Sequence, residues 1–339
     1  MTVRITKPEF NLREKLTELD KPSGVKGNEL LRSETSQEAR DLIGAGRKNY
    51  IINGDFQISQ RGNYTSNTTV SNQTYYLDRW TVDVAGVSAN IRHNINQSVG
   101  NPSGNYYKNT VTMAATSSAT GYLQLRQKME LHKSLFGKTV TVSAWVKSNH
   151  SNVRLRTEGG HVTGNWDSLQ THSGNGQWEK LSMTIPLKSS PSHLVFGILI
   201  WGSTGGPSAN HAQGAISNGD YYEFTDYQVE IGENATDFEH RTIGEELQLC
   251  QRYYQVHDGH YFQVVSPSTG HTADFYITLP YWVPMNHDPD VTESYTLSGA
   301  TTNNLISVTA TKAKFSLRPT TANSEVYVSA DTLRLDAEL

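Results

Sequence analysis

A single cysteine, Cys250, in 339 residues leaves no partner for an intrachain disulfide and no means of building a cysteine-rich zinc site. The fold is therefore expected to hold by packing alone. Charge is also sparse, at 18% of residues with a net charge of −4, and no dense Lys/Arg run lies outside the N-terminal segment. That excludes a broad basic field for gripping phosphate backbones, so nucleic acid is not an expected partner. Long apolar runs are missing too. The longest, Leu194 to Trp201, has eight residues including a glycine, well short of the ~20 that span a bilayer. It is expected to be a buried strand, with no membrane insertion. No charged-then-apolar leader opens the chain, because MTVRITKPEFNLREKL is polar and helix-patterned; the expectation is synthesis in a cytoplasm. The triplets Asn63-Tyr64-Thr65 and Asn234-Ala235-Thr236 are then chance products of an Asn- and Thr-rich chain rather than glycosylation sites. No repeat of fixed period occurs, which disfavours a solenoid, a propeller or a β-helix.

What the chain does have is Thr, Val and Tyr in short alternating runs, punctuated by Gly, Asn and Ser. Its composition divides it in three. Residues 1–48 are charged, nearly free of aromatics and helical in period. Asn11 and Glu14 have capping-box spacing, and Leu12, Leu16 and Leu19 share a helical face that Pro22 and Gly24 end. A second short helix is expected from Thr35 to Gly44, carrying Leu42 and Ile43. Helices this short are marginal alone, so these leucines and isoleucine are the candidate docking residues, packing on another chain or folding back on the β region. Residues 49–242 contain strand after strand, among them Tyr50–Ile52, Arg79–Val82, Thr110–Met113, Val140–Val146 and Leu181–Ile185, which suggests a two-sheet jelly-roll sandwich. Residues 243–339 open on a linking helix, Ile243 to Tyr254, and continue as a smaller β domain. The expected class is mainly β with a short helical N-terminal segment.

At Lys48-Asn49-Tyr50-Ile51-Ile52-Asn53-Gly54-Asp55-Phe56-Gln57-Ile58-Ser59-Gln60-Arg61-Gly62 the chain resembles the opening of β-sandwich domains in phage virion and tail-fibre-like proteins. The resemblance continues, in order, at Leu77-Asp78-Arg79-Trp80, Phe224-Thr225-Asp226-Tyr227-Gln228-Val229-Glu230-Ile231-Gly232, Ala235-Thr236-Asp237-Phe238-Glu239 and Cys250-Gln251-Arg252-Tyr253-Tyr254. Val142-Ser143-Ala144-Trp145-Val146-Lys147 and Gln177-Trp178-Glu179-Lys180 are similar to jelly-roll carbohydrate-binding modules. Gly27–Thr35 and Ala39–Gly46 resemble segments preceding this domain in marine and cyanobacterial phage appendage proteins. The resemblance implies a virion protein, a homotrimer, held to other capsid, neck or tail proteins through residues 1–48. Host-surface polysaccharide is the external partner it suggests. A purely architectural decoration or connector is the alternative, and a glycan-degrading enzyme a more distant one.

Trp80, Trp145 and Trp178 fall where the resembling jelly rolls carry core aromatics and are expected to be packing residues. Trp201 and Trp282 are undecided. Trp166, among Gly164, Asn165 and Asp167, has a loop-like context in which an exposed indole would stack on a sugar, and it is the glycan-binding candidate. Asp55 and Asp226 flank the ends of the expected jelly roll; related modules hold a structural calcium near their first and penultimate strands, and hard oxygen ligands suit that ion. A solvated turn is the alternative for both, and no other cofactor is expected. His257-Asp258-Gly259-His260 is expected to be a glycine-bearing turn rather than a zinc site. No phosphate loop, nucleophile elbow, zinc-protease helix or dinucleotide fingerprint is present, so no catalytic residue is assigned and the expectation is a non-enzyme.

Overall fold

The computed structural model describes residues 48–97, 108–118, 121–201, 215–265, 275–298, 300–319 and 325–338. The chain divides between Lys48 and Asn49 into two compact units, and the architecture below is that of the second, Asn49–Leu339. The expected N-terminal helices, with Leu12, Leu16, Leu19, Leu42 and Ile43, lie outside the described residues.

Twelve strands come first: β1 (Thr68–Thr69), β2 (Tyr75–Leu77), β3 (Trp80–Ala85), β4 (Ala89–Gln97), β5 (Lys108–Ala115) and β6 (Tyr122–Met129), then β7 (Thr139–Ser148), β8 (Val153–His161), β9 (Gly164–Thr171), β10 (Trp178–Pro186), β11 (Leu194–Trp201) and β12 (Tyr221–Ile231). They form two six-stranded sheets, ordered β1-β4-β5-β12-β7-β10 and β2-β3-β6-β11-β8-β9, with antiparallel pairing throughout. The molecule is mainly β, a jelly-roll-like sandwich, as the alternation predicts. Val140, Val142, Ala144 and Val146 of β7 meet Leu194, Phe196, Ile198 and Ile200 of β11 in one core between the sheets. Trp80 is fully buried there, edge-on to Phe224 and Tyr227, and its indole N–H donates to Asn53 O at 2.9 Å.

The expected strand at Tyr50–Ile52 is absent. Side-chain amides replace its ladder: Asn49 Oδ1 accepts from Ile51 N at 2.9 Å and Val229 N at 3.1 Å, while Asn53 exchanges bonds with Ile58. The segment lies against a bulge in β12, where the register shifts between Thr225 and Gln228 and Asp226 takes φ +53°. Tyr227 N donates to Gly54 O, and a Cβ at Gly54 would stand 2.2 Å from Tyr227 O, so only glycine fits.

After the sandwich comes α1 (Ile243–Gln251), closed at its start by a Thr242/Glu245 capping box. Then follow β13 (Tyr254–Val265), β14 (Phe275–Pro280), β15 (Asp290–Ser298), β16 (Ala300–Thr309), β17 (Lys312–Pro319) and β18 (Glu325–Asp336). These make two three-stranded sheets, β13-β18-β15 and β14-β17-β16. His257 to His260 is not a turn but part of β13, with Asp258 opposite Thr332 and His260 opposite Ala330. The β18 ladder holds Gly259 in line. Two buried arginines bind this region to the sandwich. Arg61 pairs with Asp336 at 2.8 Å and Glu338 at 3.1 Å, and its guanidinium lies 4.0 Å from the Tyr254 ring centroid. Arg79, also paired with Glu338, lies 3.5 Å from the ring centroid of Tyr253.

Candidate functional site

The strongest constellation lies on the outer face of the first sheet. In β7, Val140, Val142, Ala144 and Val146 face inward, so the two-residue period sends Thr141, Ser143, Trp145 and Lys147 outward. In β10, Leu181, Met183 and Ile185 face the core, which sends Trp178, Lys180, Ser182 and Thr184 outward. Trp145 and Trp178 are thus half-buried residues of the outer face, and of the three tryptophans expected in the core only Trp80 is there.

The register arranges these side chains in rows across the strands. Arg92 lies opposite Thr112, Thr112 opposite Glu223, Glu223 opposite Lys147, and Lys147 opposite Trp178. At ~4.8 Å per strand the row is about 19 Å long. Beside it, along one flank, runs a second row in which Asn94 is opposite Thr110, Thr225 opposite Trp145 and Trp145 opposite Lys180. Trp145 and Trp178 are diagonal neighbours, a relation that puts Cα atoms about 7–8 Å apart and keeps large rings within reach.

The floor of this face is rigid. Glu223 accepts from Asn94 Nδ2 at 3.1 Å and from Thr110 Oγ1, Asn94 Nδ2 also reaches Thr112 Oγ1 at 2.8 Å, and Thr225 Oγ1 donates to Asn109 O at 2.8 Å. Lys180 Nζ is held by Thr236 O at 3.0 Å. Trp178 Nε1 and Arg92 Nε are buried atoms that find no acceptor among the described residues. Two partly exposed indoles beside the partly exposed side chains of Arg92, Thr112 and Lys147 can stack on and hydrogen-bond to a polyhydroxylated chain.

The outer face of the second sheet is built differently. Arg126 Nη1 stands 2.8 Å from both Asp83 Oδ2 and Glu158 Oε2, Arg156 Nε donates to Glu158 at 3.1 Å, and Gln124 Nε2 donates to it at 3.1 Å. Tyr122 donates to Asp83 at 3.0 Å and stacks on Trp201, with centroids 4.9 Å apart and planes within 5°. Burial lifts the Glu158 carboxyl, but the Arg126 and Arg156 guanidiniums outweigh it and hold the group below its usual range. A general acid for glycoside cleavage needs the opposite displacement.

Trp166 is not in a loop. Its backbone belongs to β9, opposite Thr157, and its side chain lies outside the described residues. Asp55 and Asp226 are both buried, and Asp55 is flanked by Gln57, which donates to it, and by His240 at 4.0 Å. Burial raises the Asp55 carboxyl, Gln57 opposes that, and the charges of Glu246 and Asp226 add to it. Among the described residues no group of three or more His, Cys, Asp or Glu is arranged to hold a metal ion. Any calcium here would need main-chain or amide oxygens as well as these carboxylates.

No family model matches the chain, and no curated protein matches it. Among solved structures, it is similar over 54% of its length to the enzymatically active domain of tailspike protein 4 from bacteriophage CBA120, at 8% identity and a TM-score of 0.33, and spans only 21% of that chain. It is also similar to TmCBM61, solved with β-1,4-galactotriose, over 55% of this chain and 99% of that one, at 14% identity and a TM-score of 0.34. The CBM22-1 xylan-binding domain from Paenibacillus barcinonensis is matched over 51% of this chain and 99% of that one, at 11% identity and a TM-score of 0.30. None of the three is alike enough to assign a function.

Proposed function

We propose that this protein is a structural subunit of a bacteriophage fibre or appendage that contacts host-surface polysaccharide through the outer face of its first sheet. Residues 1–48 attach it to other virion proteins and to sister chains in a homotrimer, a part of the proposal that rests on the sequence resemblance alone. The observation that carries the polysaccharide contact is the pair of half-buried indoles, Trp145 and Trp178, set beside the Arg92·Thr112·Glu223·Lys147 row. Three weak sites on one trimer, repeated around a particle, give avidity that no single site has.

Purified protein is expected to compete with phage for host adsorption, and Trp145→Ala with Trp178→Ala to lose most of that competition while melting as the wild type does. Trp166→Ala tests the remaining sequence candidate in the same assay. Competition unaffected by all three substitutions would favour the second reading, an architectural connector without a receptor. Release of reducing sugar from host envelope by the pure protein would refute the non-enzymatic part. Calcium at Asp55 and Asp226 belongs to the proposal too, and a melting temperature indifferent to chelator would remove it.

A further inference from the structure

A second exposed aromatic surface lies in the C-terminal region, far along the chain from Trp145 and Trp178. In β14 and just beyond it, Tyr276, Thr278, Pro280 and Trp282 are exposed, while Leu279 and Tyr281 between them are buried. Tyr276 and Trp282, each 59% exposed, are the two largest exposed aromatic side chains among the described residues. Neither is loose. The Trp282 indole lies against the ring of fully buried His257, with centroids 4.3 Å apart and planes at 37°. Gln255 fixes both, accepting from Trp282 N at 3.2 Å, pairing with His257 Nε2 at 3.1 Å, and donating to Gln251 O at 3.0 Å and Val283 O at 2.6 Å. An exposed tryptophan braced from behind loses little entropy when something stacks on its outer face.

The charged residues within the three strands of this sheet have one sign. Lys314 is opposite Thr278 and Lys312 opposite Pro280, and Lys314 Nζ stands 4.4 Å from the Tyr276 ring centroid. β14, β16 and β17 contain Lys312, Lys314 and Arg318 and not one Asp or Glu, in a chain whose net charge is −4. Apolar sugar faces fit the aromatic rings, and carboxylate groups fit the lysines. A neutral sugar would leave the ammonium groups unused.

We infer that the exposed face of the β14–β17–β16 sheet is a second polysaccharide-binding surface, selective for acidic, carboxylate-bearing chains. The inference extends the proposed polysaccharide contact to a separate site, so the two can fail separately. The experiment is affinity electrophoresis of the full chain through gels containing polygalacturonate or, as the neutral control, β-1,4-galactan. Polygalacturonate is expected to retard the protein more than galactan does, and added salt to weaken that retardation. Trp282→Ala and the Lys312→Ser/Lys314→Ser double variant are each expected to cut it roughly fivefold or more, as the loss of about 1 kcal/mol does. Trp145→Ala is expected to leave it in place while reducing host adsorption. Retardation by polygalacturonate that survives both C-terminal variants, or that Trp145→Ala abolishes, would overturn the inference and leave the first-sheet site standing. A change in sedimentation of Trp282→Ala, with retardation intact, would overturn it in favour of a contact between copies of the chain.

Discussion

Asp55 holds a carboxyl in a buried place, near the charges of Glu246 and Asp226, with His240 and Gln57 as partial compensation. Its folded pKa is raised above the ordinary 3.8. Such a group contributes stability that is complete below the unfolded value and disappears as pH rises through the folded value, so at neutral pH its ionised form works against the fold. Asp55→Asn is therefore expected to raise the melting temperature of chelator-treated protein at neutral pH, and the gap to close as pH falls toward 3.8. Added calcium is expected to raise the melting temperature of the wild type and not of the variant. Thermal scans with and without chelator across that pH range check both. Glu158 has the opposite sign. Its carboxyl is depressed by Arg126 and Arg156, so its contribution is present above the ordinary 4.5 and lost as pH falls through the folded value.

The strands and turns explain what a linear reading captured and what escaped it. The alternation in β7 and β10 is legible in the sequence, and so is α1, expected over Ile243 to Tyr254 and found at Ile243–Gln251. The same alternation puts Trp145 with Thr141, Ser143 and Lys147 on the polar side, whereas the family resemblance implies a core position. Tyr50–Ile52 has strand composition, but Asn49 Oδ1 accepts from Ile51 N and the distant Gln127 amide takes both Ile52 N and Ile52 O, an exchange that composition does not encode. His257 to His260 looked like a turn because of Gly259; only the distant β18 makes it a strand. Trp166 escaped for a similar reason, since β9 forms by pairing with β8 amid residues that favour loops. The Gly54 segment gives the sharpest test at this scale. With Tyr227 O at 2.2 Å from the added methyl, Gly54→Ala is expected to destabilise by about 2 kcal/mol or more, measured by urea unfolding.

Across the whole unit, the last residues are tied to nearly the first. Glu338 joins Arg61 and Arg79, and Ala337 N donates to Tyr253 O at 2.7 Å. Removing one partner of a buried pair leaves the other uncompensated, so Glu338→Ala is expected to lower stability by about 3–5 kcal/mol, and deletion of residues 336–339 to lower it further, both read by denaturant titration. The same tie governs how the protein comes into being. Arg61 and Arg79 emerge from the ribosome roughly 275 and 259 residues ahead of their carboxylate partners. A nascent chain must carry those two cations without their carboxylates until the strand that bears them is made, so the sandwich can collapse early but cannot close around them until Asp336 and Glu338 have emerged.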